Sequence, residues 1–257
     1  MAVFAVRQRS LMYFPPRGYP DTPARTGLPW EDLVLTTEDG VRLAAWWVPA
    51  ADPAAPALLY LHGNAANLAA FVDLAAACAR RGLSFLAVDY RGYGASAGSP
   101  TEAGLYRDAR AAWRWLAARG AAARTVVYGQ SLGTAVGAWL AAHEPVAGLA
   151  LEAPLPSMRL MARRHYPWLL VPRWLLRDRF ETLVHLRGVR CPVLVIQGEA
   201  DAITPPAFGR MVFETAPARR QYLSVPGAGH NDLRWDDPGF QEVMMAFIRS
   251  CVGAADR

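Results

Sequence analysis

The stretch TVVYGQSLGTAVGAWLAAH, residues 125–143, decides the fold. Its opening, Thr125 to Tyr128, is β-branched and aromatic and suits a buried strand. From Leu132 to about residue 142 the run is rich in Ala and Leu and reads as a helix. Between them lies Gly129-Gln130-Ser131-Leu132-Gly133, a G-x-S-x-G pattern. A serine at such a strand-to-helix turn needs small neighbours to avoid clashes, and the helix start places amide N–H groups beside it. A second match, Gly94-Ala95-Ser96-Ala97-Gly98, lacks this context. It follows the loop Asp89-Tyr-Arg-Gly-Tyr-Gly94 and precedes Ser99-Pro100, where the next helix only begins. Ser131 is therefore the candidate nucleophile, and Ser96 is a loop serine.

The same alternation continues on both sides. Apolar runs at 57–61, 84–88, 125–128, 147–151, 192–197 and 221–225 read as strands buried on both faces, the mark of a parallel sheet. Helices are expected at 68–81, 100–119, 132–142 and 238–251. The second carries a capping box, Ser99-Pro100-Thr101-Glu102, with Pro at the first helical position. Ahead of these units, 33–37 and 41–48 flank Glu38-Asp39-Gly40, which predicts an antiparallel hairpin. The expected fold class is α/β: a mostly parallel sheet with an antiparallel N-terminal hairpin and helices on both faces. With 53% apolar residues and neither repeat nor low-complexity linker, residues 1–257 are expected to form a single domain. One segment, about 153–190, is too long for a plain connection and reads as a short helical cap insertion.

Composition excludes several chemistries. All 27 basic residues are Arg and none is Lys, which removes Schiff-base catalysis, a P-loop lysine and a Ser-Lys dyad. Cys78, Cys191 and Cys251 are too few and too far apart for a disulfide framework or zinc site. No metal and no organic cofactor is expected. Residues 1–6 are apolar but shorter than a signal or membrane segment, so a cytoplasmic protein is expected.

A serine hydroxyl needs a base, and the base needs an orienting group. Of the five histidines, His230 in Pro226-Gly-Ala-Gly-His230-Asn-Asp lies in a loop between the last strand and last helix, where a parallel sheet assembles its site. His143 sits at a helix end, His165 and His185 in the insertion, and His62 just after a strand. Asp201, directly after the strand at 192–197, is the preferred carboxylate, with Glu199 and Asp232 as alternatives. Two oxyanion donors are expected: the backbone N–H of Leu132, and that of Asn64 in His62-Gly63-Asn64-Ala65, with Ala65 as fallback.

These motifs, together with Asp89-Tyr90-Arg91-Gly92-Tyr93-Gly94, Gly198-Glu199-x-Asp201-x-x-x-Pro205 and Gly229-His230-Asn231, resemble the BEM46-like branch of the α/β-hydrolases. That branch includes bacterial serine hydrolases and mammalian relatives of the types numbered 13 and 17. The resemblance runs from about Leu11 to the C-terminal helix. It implies the α/β-hydrolase fold and a Ser-His-Asp triad, and it assigns Ser96 to a structural loop. Family members include protein depalmitoylases that use N-terminal cysteines for membrane targeting, whereas no cysteine precedes Cys78 here.

The insertion carries Arg159, Arg163, Arg164, Arg173, Arg177, Arg179, Arg187 and Arg190 against Asp178 and Glu181, a net +6 in a chain whose total is +5. It is also oily, with Tyr166, Trp168 and Trp174. It suits a lid over an acyl-binding cleft or a patch making transient contact with a membrane surface. A cap packed on the sheet domain with its arginines in water fits the same residues. No element that reads nucleic acid is present. The expected function is hydrolysis of a small-molecule carboxylic ester or thioester through an acyl-enzyme. An amidase or peptidase with the same triad, and a scaffold binding lipid or a partner, are the alternatives.

Overall fold

In the computed structural model, which describes residues 8–168, 176–232 and 235–253, every expected apolar run forms a strand. They are β1 (Glu31–Thr36), β2 (Arg42–Val48), β3 (Ala57–Leu61), β4 (Ser84–Val88), β5 (Thr125–Gln130), β6 (Gly148–Glu152), β7 (Val193–Gly198) and β8 (Arg220–Val225). They make one sheet in the order β1-β2-β4-β3-β5-β6-β7-β8. Strand β2 runs antiparallel to β1 and β4, and all later pairings are parallel. Every residue of β3, β4 and β6 is buried, as strands covered on both faces must be.

The alternation within these strands sorts side chains into two cores. Leu59, Leu61 and Val127 face one side, and Leu58, Tyr60, Val126 and Tyr128 face the other. Helices α2 (Glu102–Ala118), α3 (Leu132–His143), α5 (Thr182–Leu186) and α6 (Pro206–Thr215) have buried residues in the first core. Helices α1 (Val72–Arg80) and α7 (Pro238–Val252) pack into the second, through Leu74 and Cys78 on one and Met244 and Phe247 on the other. Helix α4 (Met158–His165) buries none of its residues fully.

Three details differ from expectation. Strand β8, at the edge of the sheet, buries none of its residues fully, because a neighbour lies on one side only. The N-cap of α2 is Thr101, whose hydroxyl accepts from Gly104 N at 3.0 Å, so Pro100 precedes the cap rather than opening the helix. Glu102 does not complete a capping box. Its carboxylate instead accepts from the amides of Arg179 and Phe180 at 2.6 and 2.8 Å, holding the end of the insertion. Helix α6 has no counterpart in the sequence reading, because Gly209 interrupts its pattern and Pro205-Pro206 reads as a breaker. The glycine lets the helix approach Gln197, whose Oε1 would lie 2.5 Å from a Cβ and would have to move.

The 153–190 stretch divides into two parts. Leu176 is buried, and Phe180, Leu186 and Val189 are buried in the first core, so the segment from 176 onward is scaffold. The α4 part lies over the first core through half-buried Met158 and Met161, exposes its arginines, and is followed by Tyr166 and Trp168 at 53% and 76% accessibility. Arg173 and Trp174 lie outside the described residues. Among the described residues no helix is long and apolar enough to cross a membrane.

Candidate active site

The turn from β5 into α3 is built by close approach. A Cβ on Gly129 would meet the Gly133 carbonyl oxygen at 2.3 Å, and one on Gly133 would meet the Leu61 carbonyl oxygen at 1.9 Å. Between them Ser131 adopts φ 50° and ψ −113°, a conformation L-residues avoid unless the surroundings impose it. Its amide donates to the Glu152 carbonyl at 2.9 Å, which ties the turn to β6. Leu132 is the first residue of α3, so its N–H belongs to the helix-start amides that the helix itself leaves unpaired.

Two loops beyond β7 and β8 bring Asp201 and His230 to this turn. They are stitched together by Glu199 N to Val225 O at 3.1 Å and Ala200 N to Ala228 O at 2.9 Å. His230 Nε2 lies 3.0 Å from Ser131 Oγ, and its Nδ1 lies 2.8 Å from Asp201 Oδ2. A carboxylate accepts only, so Nδ1 carries the proton and Nε2 is left to accept from the serine. The other Asp201 oxygen, Oδ1, accepts from the amides of Ile203 and Thr204, each at 2.8 Å. Thr204 Oγ1 donates to Oδ2 at 2.8 Å. Burial pushes this carboxyl up, but the bonds from His230 and Thr204 outweigh it and leave its pKa below the ordinary value.

The alternatives are engaged elsewhere. Ser96 is buried, donating to the Asp89 carbonyl at 2.6 Å and accepting from Ala44 N at 2.9 Å. Glu199 accepts from Ser224 at 2.9 Å, and Asp232 accepts from Gly229 N at 2.7 Å. His62 is buried with Nδ1 on its neighbour's carbonyl at 2.7 Å and Nε2 3.4 Å from Asp89 Oδ1. His143 bonds the Trp139 carbonyl, and His165 bonds the Ile203 carbonyl beside the Asp201 loop. Burial, helped by the nearby His143, lowers His185 to about 4.

The Gly63–Asn64 turn runs next to the serine, since a Cβ on Gly63 would lie 3.3 Å from Ser131 Cβ. The Asn64 side chain is a clamp. Its Nδ2 donates to the Met12 carbonyl at 2.7 Å, and its Oδ1 accepts from Phe14 N at 3.1 Å and Tyr93 OH at 2.8 Å. This ties the N-terminal segment and Tyr93 to the turn that carries Asn64. Neither this clamp nor Thr204 was signalled by sequence, because the contacts join distant segments. Among the described residues no cluster of His, Cys, Asp or Glu is placed to hold a metal.

Comparison with known proteins agrees with this fold. Residues 56–188 match the family described as the alpha/beta hydrolase fold. An uncharacterised protein of Mycobacterium tuberculosis is 41% identical over 230 residues, covering 88% of this chain and 81% of that one. Human alpha/beta hydrolase domain-containing protein 17B is 34% identical over 210 residues, covering 79% and 70%. An esterase of Pyrococcus furiosus superposes with a TM-score of 0.78 at 20% identity, covering 93% of this chain and 97% of that one, a likeness of fold. The chain belongs to the α/β-hydrolase family.

Proposed function

We propose that the protein is a serine hydrolase that cleaves carboxylic esters or thioesters of small molecules through an acyl-enzyme. The observation that carries this reading is the continuous line from Ser131 Oγ through His230 to Asp201, at 3.0 and 2.8 Å. In the first step Ser131 Oγ attacks the acyl carbon while its proton passes to His230 Nε2. Asp201 stabilises the imidazolium through Nδ1–H. The amides of Leu132 and Asn64 receive the developing oxyanion, a contribution worth about 100- to 1000-fold per donor. The imidazolium then gives its proton to the departing alkoxide or thiolate. Water, deprotonated by the same nitrogen, releases the acid and restores Ser131.

A fluorophosphonate probe tests the assignment. Labelling is expected to vanish in Ser131→Ala and persist in Ser96→Ala, and the reverse pattern overturns it. A series of p-nitrophenyl esters of increasing chain length, run beside acyl-CoA thioesters and a matched amide, then identifies the preferred acyl group and bond. An amide hydrolysed faster than its ester would replace esterase by amidase.

A further inference from the structure

Behind the serine lies a buried carboxylate that the mechanism above does not use. Glu152 ends β6 directly beside Gln130 of β5. Its backbone oxygen accepts the Ser131 amide at 2.9 Å. Its side chain is 2% exposed and accepts from Gln130 Nε2 at 3.0 Å and from Tyr128 OH. Gln130 Oε1 in turn accepts from Tyr60 OH at 3.0 Å. The carboxylate is thus hydrogen-bonded to the residue before the nucleophile, and the backbone of the same residue to the nucleophile itself.

A cavity of about 910 Å³ reaches this cluster from the α1–α7 side, lined by Tyr60, Gln130, Glu152, Asn231 and Trp235 among others. Gln130 and Asn231 are the chain neighbours of Ser131 and His230, so the cavity backs onto the site. The titratable groups that act on Glu152 are Tyr60 and Tyr128 from the sheet, and Asp201 and His230 from the two loops. Asp73, Arg80, Arg81 and Asp236 line the same cavity. Burial pushes the Glu152 carboxyl up to about 6, while the bonds from Tyr128 and Gln130 and the charge of His230 pull it down.

Glu152 accepts one hydrogen bond on each carboxylate oxygen, whereas a glutamine could accept only one of the two; the anion is held here despite the cost of burying a charge. We propose that the Glu152 carboxylate is a positioning group: it braces Gln130, the residue before Ser131, and, as an anion at the back of the site, supports the positive charge that His230 gains with the serine proton. It exchanges no proton with substrate. The inference rests on the reading of Ser131 as nucleophile and His230 as base.

The test is the pH profile of kcat/KM on p-nitrophenyl acetate for the wild type, Glu152→Gln, Tyr128→Phe and Ser131→Ala. Glu152→Gln is expected to lower the plateau about tenfold and move the acid limb to lower pH, because the imidazolium has lost a neighbouring anion. Tyr128→Phe removes a donor to the anion, so the carboxyl titrates later and the acid limb moves to higher pH. Opposite displacements are the signature. A merely structural brace lowers rates and moves neither limb. Unmoved limbs with an inactive Ser131→Ala overturn this inference and leave the nucleophile reading standing. An active Ser131→Ala overturns both. If Glu152→Gln does not fold, the direction of the Tyr128→Phe displacement decides alone.

Discussion

A Cβ placed on Gly133 would lie 1.9 Å from the carbonyl oxygen of Leu61, the last residue of β3. Helix α3 therefore starts against bare backbone, and the atom it would strike cannot rotate away. Gly133→Ala is expected to destabilise the protein by more than about 3 kcal/mol, the upper end for overpacking, and to abolish probe labelling of Ser131. Gly137→Ala is the control, because its Cβ would meet side-chain methyl groups and no backbone: Val127 at 3.2 Å, Leu149 at 3.4 Å and Leu61 at 3.7 Å. It is expected to fold and label normally, as measured by thermal melts and gel fluorescence.

Asp201→Asn places an amide where His230 Nδ1–H must donate, and a loss of roughly 10,000-fold in kcat is expected, as for other triads. Thr204→Val keeps the shape and removes one donor to Asp201 Oδ2. About tenfold in kcat is expected with little change in KM, because the hydroxyl orients the acid and does not touch substrate. Steady-state kinetics on one ester separate these outcomes. The pKa of Asp201 is depressed by folding, so the stability it contributes is present above its unfolded value and is lost as pH falls through the folded one. Asp201→Asn is therefore expected to flatten the acid side of the stability profile.

The contrast between Asp201 and Thr204 shows what the chain discloses by itself. Asp201 follows a recognisable strand and fits the chain order of this fold, so position alone picks it out. Thr204 is three residues on, in an unremarkable Ile-Thr-Pro-Pro, and its role exists only once two loops meet. Ser131 and Ser96 carry the same local motif, and the strand before Ser131 separates them. The Asn64 side chain, by contrast, works through Met12, Phe14 and Tyr93, contacts that no local pattern encodes. Helix α6 was hidden by Gly209, which lies close against the Gln197 side chain. Periodicity records burial on the element's own faces, whereas a polar tertiary contact leaves no period to read.

Arg91 ties the N-terminal hairpin to the helical layer. Its guanidinium lies 2.8 Å from Asp108 on α2 and 2.8 Å from Asp39 in the turn between β1 and β2. Burial pushes Asp108 up to about 6, against the pull of Arg91. Arg91→Met is expected to cost about 3–5 kcal/mol by leaving Asp108 buried without its partner. Arg91→Met combined with Asp108→Leu is expected to recover much of that loss. Denaturant melts of the two single variants and the double variant measure the coupling, and strict additivity would show that the pair does not act as a unit.

Glu152 makes a prediction about stability that is independent of catalysis. Folding raises its pKa from an ordinary 4.5 to about 6, so between those values the folded state holds more protons than the unfolded chain. By linkage, its contribution to stability falls as pH rises through that window and stays at its lowest above it. Glu152→Gln has no proton to lose there. Its melting temperature relative to the wild type is therefore expected to improve from below the window to above it, whatever its absolute value. A difference that does not change with pH would mean that Glu152 ionises in the fold as readily as in the unfolded chain. If the relative gain is found together with the lower rate expected of the same variant, the wild type is accepting a less stable turn in order to keep an anion behind Ser131.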